Sequence, residues 1–210
     1  MIKKNWKQLL ITSIIILLPI LAGLILWEQL PEKIPTHWNV NGEIDGWSSK
    51  PFAVLGLPAI MLAAQWLCVL GTAADPKKAA HPQKVLQLVF WIFPVISILM
   101  FTLTYIAALG GQVRVEVIMP IFMGLVLAIV GNYLPKCKQN YTIGIKIPWT
   151  LNNEENWNKT HRFAGWLWTA GGIIMMLTGF FGGFWIFFVV MLLMVLAPVL
   201  YSYILYRRGM

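Results

Sequence analysis

A chain of 210 residues that is 59% hydrophobic and only 11% charged is not an ordinary soluble domain, because soluble domains carry about 25% charged residues. Uncharged runs over 8–27, 51–74, 85–113, 117–135 and 163–206 each hold the ~20 residues needed to cross a bilayer. The net charge of +8 follows the ends of these runs instead of forming one patch, so it reports membrane topology and not a direct nucleic-acid partner.

Gly182-Gly183 divides the last run into two, which gives six transmembrane helices in an all-α integral membrane protein. Alternating the segments from an inside N-terminus puts Lys3, Lys4, Lys7, Lys77, Lys78, Lys84, Lys136, Lys138, Lys146, Lys159, Arg162, Arg207 and Arg208 on the cytoplasmic side. Only Lys33, Lys50 and Arg114 fall outside. That asymmetry predicts that both termini are cytoplasmic. Cys68 and Cys137 then sit on the reducing side, and no structural disulfide is expected. The first run is too long for a signal-peptide core and lacks a small-residue cleavage site before Trp27, so it reads as a retained helix.

Trp6 and Trp27 mark interface depth at the two ends of the first span, and Pro19 is a candidate kink within it. Residues 28–50 form an extracellular loop of net charge −2. Its centre is Asn41-Gly42, a strong signal for a β-hairpin with a two-residue type I′ turn. That turn sets Val40 opposite Glu43, Asn39 opposite Ile44, Trp38 opposite Asp45 and His37 opposite Gly46. Trp38 and Asp45 then share one face and His37 takes the other. A His37–Asp45 pair is disfavoured in this register unless Gly46 forms a bulge.

Pro58 lies near the start of the second span. The short basic turn DPKKAAHPQK follows, with Lys77, Lys78 and Lys84 placed to meet lipid head groups and His81 as a solvated turn residue. Gln65 is the main polar side chain at mid-membrane and reads as a tie between helices. Gly124 and Ala128 in the fourth span offer close helix contact. No Asp, Glu, Lys, Arg or His occupies the middle of a span, whereas pumps, ion-coupled transporters and intramembrane proteases place such groups there. Walker, HExxH, GxSxG and CxxC motifs are lacking. No catalytic residue, cofactor or metal is expected.

The richest stretch is Gly131 to Trp168, a structured cytoplasmic loop (135–162) between the fourth and fifth spans with the start of the next helix. Pro135 closes the fourth span. Tyr141, Ile143, Ile145 and Ile147 alternate with Thr142, Gly144 and Lys146, which predicts an extended segment with one apolar face, stopped by Pro148. Asn152 with Glu155 reads as a capping box that opens a helix. On that helix Glu154, Trp157, His161, Ala164 and Trp168 share a face, and Glu155 can pair with Lys159. The loop could be mere capping and docking against the spans, or a surface for a ligand or protein.

GNYLPK, the IGIK-IPWTL run, NEE, Trp157 and Thr160-His161-Arg162 resemble the membrane domain of the SdpI-type immunity proteins. Members of this bacterial family protect a cell against its own secreted toxin peptide. Lys146 stands where many relatives have Arg, and Ala164 where Gly is common. IPTHWN-NG-DGW resembles a small module often found N-terminal in such proteins. The resemblance implies two parts: 1–115, a three-helix module with the hairpin, and 116–210, the three-helix SdpI-type domain. It also implies an immunity function in a bacterial inner membrane of Gram-positive type, with lipids and a secreted peptide toxin as partners. Recruitment of a cytoplasmic repressor of the ArsR type is a further implication.

Toxin or partner contact is thereby expected at Asn132, Pro135, Asn140, Gly144, Trp149, Thr150, Glu154, Trp157, Thr160, His161 and Arg162. Outside, it is expected at His37, Trp38, Asn39, Gly42, Asp45 and Trp47. The rival class is a transporter or enzyme acting on a lipid or peptide, which substrate turnover in proteoliposomes would reveal.

Overall fold

A computed structural model of the chain describes residues 2–77 and 82–210. Lys78 and His81, read above as head-group and turn residues, lie outside the described residues. In chain order the elements are α1 (Ile2–Ile25), β1 (Lys33–Trp38), β2 (Ile44–Ser49), α2 (Leu57–Ala74), α3 (Gln83–Ala108), α4 (Val115–Tyr133), α5 (Pro148–Asn152), α6 (Glu154–Phe181) and α7 (Phe184–Arg207). A π-helical turn, Phe52–Gly56, leads into α2, and a 3-10 turn, Leu134–Lys136, closes α4. Among the described residues, six helices are long and apolar enough to cross a membrane. Helix is the form these runs must take, because hydrocarbon offers no partner to a free backbone N–H or C=O. The chain is therefore a multi-pass membrane protein, and its described residues hold one two-stranded antiparallel sheet.

One kink and one boundary differ from the sequence reading. Helix α1 runs on through Pro19, and its non-helical residue is Asn5. The fifth membrane helix starts at Glu154, well before its uncharged run, because Asn153 caps it by accepting from the Asn156 amide at 2.9 Å. The cap is thus Asn153 and not Asn152.

The chain divides into two compact units, Met1–Ala73 with Gln87–Val115, and Ala74–Leu86 with Glu116–Met210. In the first unit, Leu30, Ile34, Ala53, Val54, Phe101 and Tyr105 form a core that seats the base of the hairpin against α2 and α3. The Tyr105 hydroxyl donates to the Pro19 carbonyl at 2.9 Å. Gln65 ties the helices as its position suggests, its amide donating to Thr12 Oγ1 at 2.7 Å and to the Phe90 carbonyl at 3.1 Å. At the hairpin base Lys50 is 7% exposed. Its Nζ lies 2.9 Å from Glu32 Oε1, 3.3 Å from the Trp27 carbonyl and over the Trp27 ring.

The hairpin turns at the expected residues by a different geometry. Gly42 alone has positive φ, at 80°, while Asn41 does not. The Gly42 amide donates to the Asn39 carbonyl at 3.0 Å and the Asn39 amide to the Glu43 carbonyl at 2.9 Å. That is a three-residue loop with glycine in the left-handed position, not a two-residue type I′ turn. Asn39 Oδ1 secures it by accepting from the Asn41 and Glu43 amides. Trp38 therefore pairs with Ile44, not Asp45, while His37 does pair with Gly46. The register shifts on both sides of His37, leaving Asp45 as an extra residue in β2.

In the second unit, α4 and α6 meet backbone to backbone. A Cβ on Gly172 would lie 2.4 Å from the Gly124 carbonyl oxygen and 2.6 Å from the Ala128 amide nitrogen, the small-residue contact expected at Gly124 and Ala128. Gly172→Ala must push the two helices apart, an overpacking cost of about 1–3 kcal/mol. Thermal unfolding in detergent should show a lowered midpoint for Gly172→Ala. Gly71→Ala should not lower it, since nothing lies within 4 Å of that position and alanine is the better helix former. Equal midpoints for the two variants would contradict the close contact.

Candidate functional site

The loop between α4 and α6 folds around side chains and not around a strand ladder. Asn140 is 1% exposed. Its Oδ1 accepts from the Thr142 and Ile143 amides at 2.8 and 2.7 Å, and its Nδ2 donates to the Lys138 and Ile143 carbonyls, both at 2.8 Å. One amide side chain thus satisfies four backbone groups, so the chain bends tightly here. This overturns the extended segment expected for 141–147: residues 141–144 are a bend and the isoleucines are only half-buried. Thr150 finishes the loop from inside. Its hydroxyl accepts from the Ile147 amide at 3.1 Å and lies 2.7 Å from the Ile145 carbonyl.

At the head of α6 the loop closes on two stacked rings. Trp157 is fully buried, and its indole N–H donates to the Cys137 carbonyl at 2.7 Å. His161, one turn on, stacks against it at 4.0 Å between centroids and 19° between planes. The Ile145 amide donates to His161 Nε2 at 3.0 Å. With Nε2 an acceptor, the ring proton sits on Nδ1, which donates to the Trp157 carbonyl at 2.9 Å. The imidazole is held neutral with both nitrogens engaged, an arrangement that positions a loop and leaves no nitrogen open to carry protons. Gly144 makes the closure feasible, with φ at 124° and no side chain. A Cβ there would lie 2.4 Å from His161 Nε2.

A second polar knot joins α6 to α7. Asn156, fully buried, donates from Nδ2 to the Ser202 carbonyl at 3.0 Å and accepts from Ser202 Oγ at 2.6 Å and Thr160 Oγ1 at 3.1 Å. Trp149 packs against Tyr203 and Tyr206 with centroids 5.1 and 6.0 Å away. The site thus brings together Asn140, Gly144, Thr150, Trp157 and His161, with Thr160 and Trp149 on the α7 side. It leaves Asn132, Glu154 and Arg162 exposed. Pro135 is exposed too, although its ring lies against Gly165. Glu155 and Lys159 do pair, at 2.8 Å. Burial pushes the Cys137 thiol up to about 11.

Four participants had not been read as part of the site. Asp75, only 2% exposed, accepts from the Tyr141 amide at 3.0 Å and the Thr142 hydroxyl at 2.8 Å. Lys77 does not simply meet head groups: its Nζ donates to Gln139 Oε1 at 2.7 Å and lies over the Tyr141 ring. Gln139 in turn donates to the Thr150 and Leu151 carbonyls. Asn156 is the fourth. The available signal was Asp75 itself, an acid directly after an apolar span in a loop otherwise basic.

On the hairpin, His37 Nδ1 and Asp45 Oδ1 stand 2.5 Å apart, because the extra residue in β2 turns Asp45 toward His37. The register expected from a two-residue turn disfavoured this pair, and the bulge restores it. Both side chains are exposed, so the pair adds little stability. Among the described residues no third metal-ligating side chain joins them. Trp47 is 55% exposed and Trp38 half-buried. Asn39 Nδ2 donates to Glu43 Oε2 at 2.8 Å.

The model of the SdpI/YfhL protein family matches residues 136–202, which contain the loop and both knots. A second model, a domain of unknown function (DUF1648), matches residues 14–62 and so includes the hairpin. The chain is 32% identical over 208 residues to "Immunity protein SdpI" of Bacillus subtilis (strain 168), covering 96% of this chain and 97% of that one. No solved structure matches it.

The geometry makes Gly144 the position least able to change. Gly144→Ala should strain the backbone and drive the Ile145 amide off His161, with trypsin then cutting after Lys138 and Lys146 faster than in the parent protein. Gly110→Ala has a comparable positive φ, 84°, but nothing within 4 Å, and it should leave cleavage in this loop unchanged. Unaltered cleavage in Gly144→Ala would contradict the closure.

Proposed function

The chain belongs to the SdpI/YfhL protein family, and from that we propose that it is an immunity protein of a bacterial cell membrane, protecting its host against a secreted peptide toxin. The carrying observation is the likeness to an immunity protein along nearly the whole chain, hairpin and loop included. In this reading both termini are cytoplasmic, the hairpin faces the toxin and the loop before α6 faces the cytoplasm. The positive-inside distribution of Lys and Arg supports that orientation. Trp38, Asn39, Gly42, Trp47 and the His37–Asp45 pair supply the outer contact surface.

Trp157 and His161 act by holding the loop in one shape, and exposed Lys146 of the loop forms the inner face with Glu154 and Arg162 at the head of α6. A soluble repressor of the ArsR type is the partner that the family resemblance suggests for that face. The closed hydrogen bonding of His161 supports a contact role over acid–base chemistry.

Single cysteines placed at Asn41 and Gly183, in a cysteine-free background, should react with an impermeant maleimide from outside intact cells. One at Asn153 should react only after permeabilisation, and its labelling in intact cells would sink the orientation. Gly42 holds the one left-handed residue of the hairpin turn, a conformation that β-branched residues resist. Gly42→Val should therefore weaken survival of a sensitive host challenged with toxin peptides, at unchanged membrane level. Full survival would remove the hairpin from the mechanism.

A further inference from the structure

The bonds described for Asp75 leave a role that the loop's own residues do not fill. It directly follows α2, yet its carboxylate is buried and reaches 66 positions along the chain to the Tyr141 amide, at 3.0 Å. The same Oδ2 accepts from the Thr142 hydroxyl at 2.8 Å, and Oδ1 accepts from the Lys77 amide at 2.7 Å. Lys77 then reaches Gln139, which holds the Thr150 and Leu151 carbonyls. Both strands of this clasp end on the segment that delivers Gly144 and Ile145 to His161. Hydrogen bonds to a buried charge are the strong ones, and leaving such partners unmatched is costly.

We propose that Asp75 is a positioning residue whose carboxylate latches the 138–145 segment shut over His161, making Asp75 and Lys77, just after α2, part of the functional site. This rests on the reading of the α4–α6 loop as the working part of the immunity protein. The latch gives a carboxylate amid basic residues a structural role: it accepts from an amide and a hydroxyl of the loop and so ties that segment to the end of α2. It also explains why the loop needs no strand ladder of its own, since Asn140 folds it locally and Asp75 fixes it at a distance.

The test uses the full chain in detergent with Cys68→Ala, which leaves Cys137 as the single thiol. Cys137 is 5% exposed and lies in the latched loop, so its alkylation by iodoacetamide reads opening. Asp75→Asn should raise the alkylation rate about tenfold, the scale expected for losing a charge-assisted hydrogen bond. Thr142→Val, which keeps the shape but loses the hydroxyl, should raise it by a smaller factor. Thr142→Ser, which keeps the hydroxyl, should not. The Thr142 pair also serves if Asp75→Asn fails to fold.

Parent-like alkylation in Asp75→Asn, or identical rates in Thr142→Val and Thr142→Ser, overturns the latch. Host survival under toxin, per inserted molecule, is measured on the same variants. Faster alkylation with a matching loss of survival supports the proposal. Faster alkylation with full survival overturns the positioning role by showing that the loop itself does not serve immunity, an outcome distinct from failure of the latch.

Discussion

The hydrogen bond from the Ile145 amide to His161 Nε2, at 3.0 Å, is the contact on which the second unit's loop depends. It needs three conditions at once. The imidazole must be neutral, its proton must sit on Nδ1, and residue 144 must lack a side chain. The Trp157 carbonyl meets the second condition and the fully buried Trp157 ring holds the imidazole plane. Gly144 meets the third. Protonating Nε2 would set two donors face to face, so this histidine works by staying neutral. A ring pair of this kind contributes about 0.5–1.5 kcal/mol beyond its buried area. Its larger effect is geometric, because it fixes where a loop with few backbone–backbone bonds must sit.

The six apolar helices were legible because the bilayer imposes a length and a composition that any sequence must display. The hairpin turn at Asn41-Gly42 and the shared face of Trp157, His161 and Ala164 were legible for similar reasons, being local signals of turn chemistry and helical period. What sequence could not supply was the outcome of competition among polar groups. The alternation of Tyr141, Ile143, Ile145 and Ile147 is a fair strand signal. Asn140 defeats it by offering its amide to four backbone groups at once. Likewise Asn41-Gly42 permits both a two-residue and a three-residue turn. Asn39 decides between them by capping the turn, and the bulge that follows brings His37 to Asp45.

Long-range partners were the least legible. Lys77 read as a head-group residue and Asp75 drew no reading, and only the folded chain brings them to Tyr141, Thr142 and Gln139. Asn156 lay hidden between the more conspicuous Trp157 and Glu155, yet it joins α6 to Ser202. Lys50 entered the sequence reading only as a basic residue of the outer side, and it is buried at the hairpin base on Glu32 and Trp27. In each case a polar side chain in a mostly apolar protein finds its partners across the fold, because a membrane protein has few groups to offer and leaving one unmatched is expensive.

The central claim is that a rigidly held loop at the head of α6 serves toxin immunity. The most direct measurement is survival of a toxin-challenged sensitive host that expresses His161→Ala, normalised to the amount of protein inserted in the membrane. Full insertion with survival well below that of the parent chain is expected. Survival per inserted molecule equal to the parent's would contradict it and reduce the loop to a structural connector.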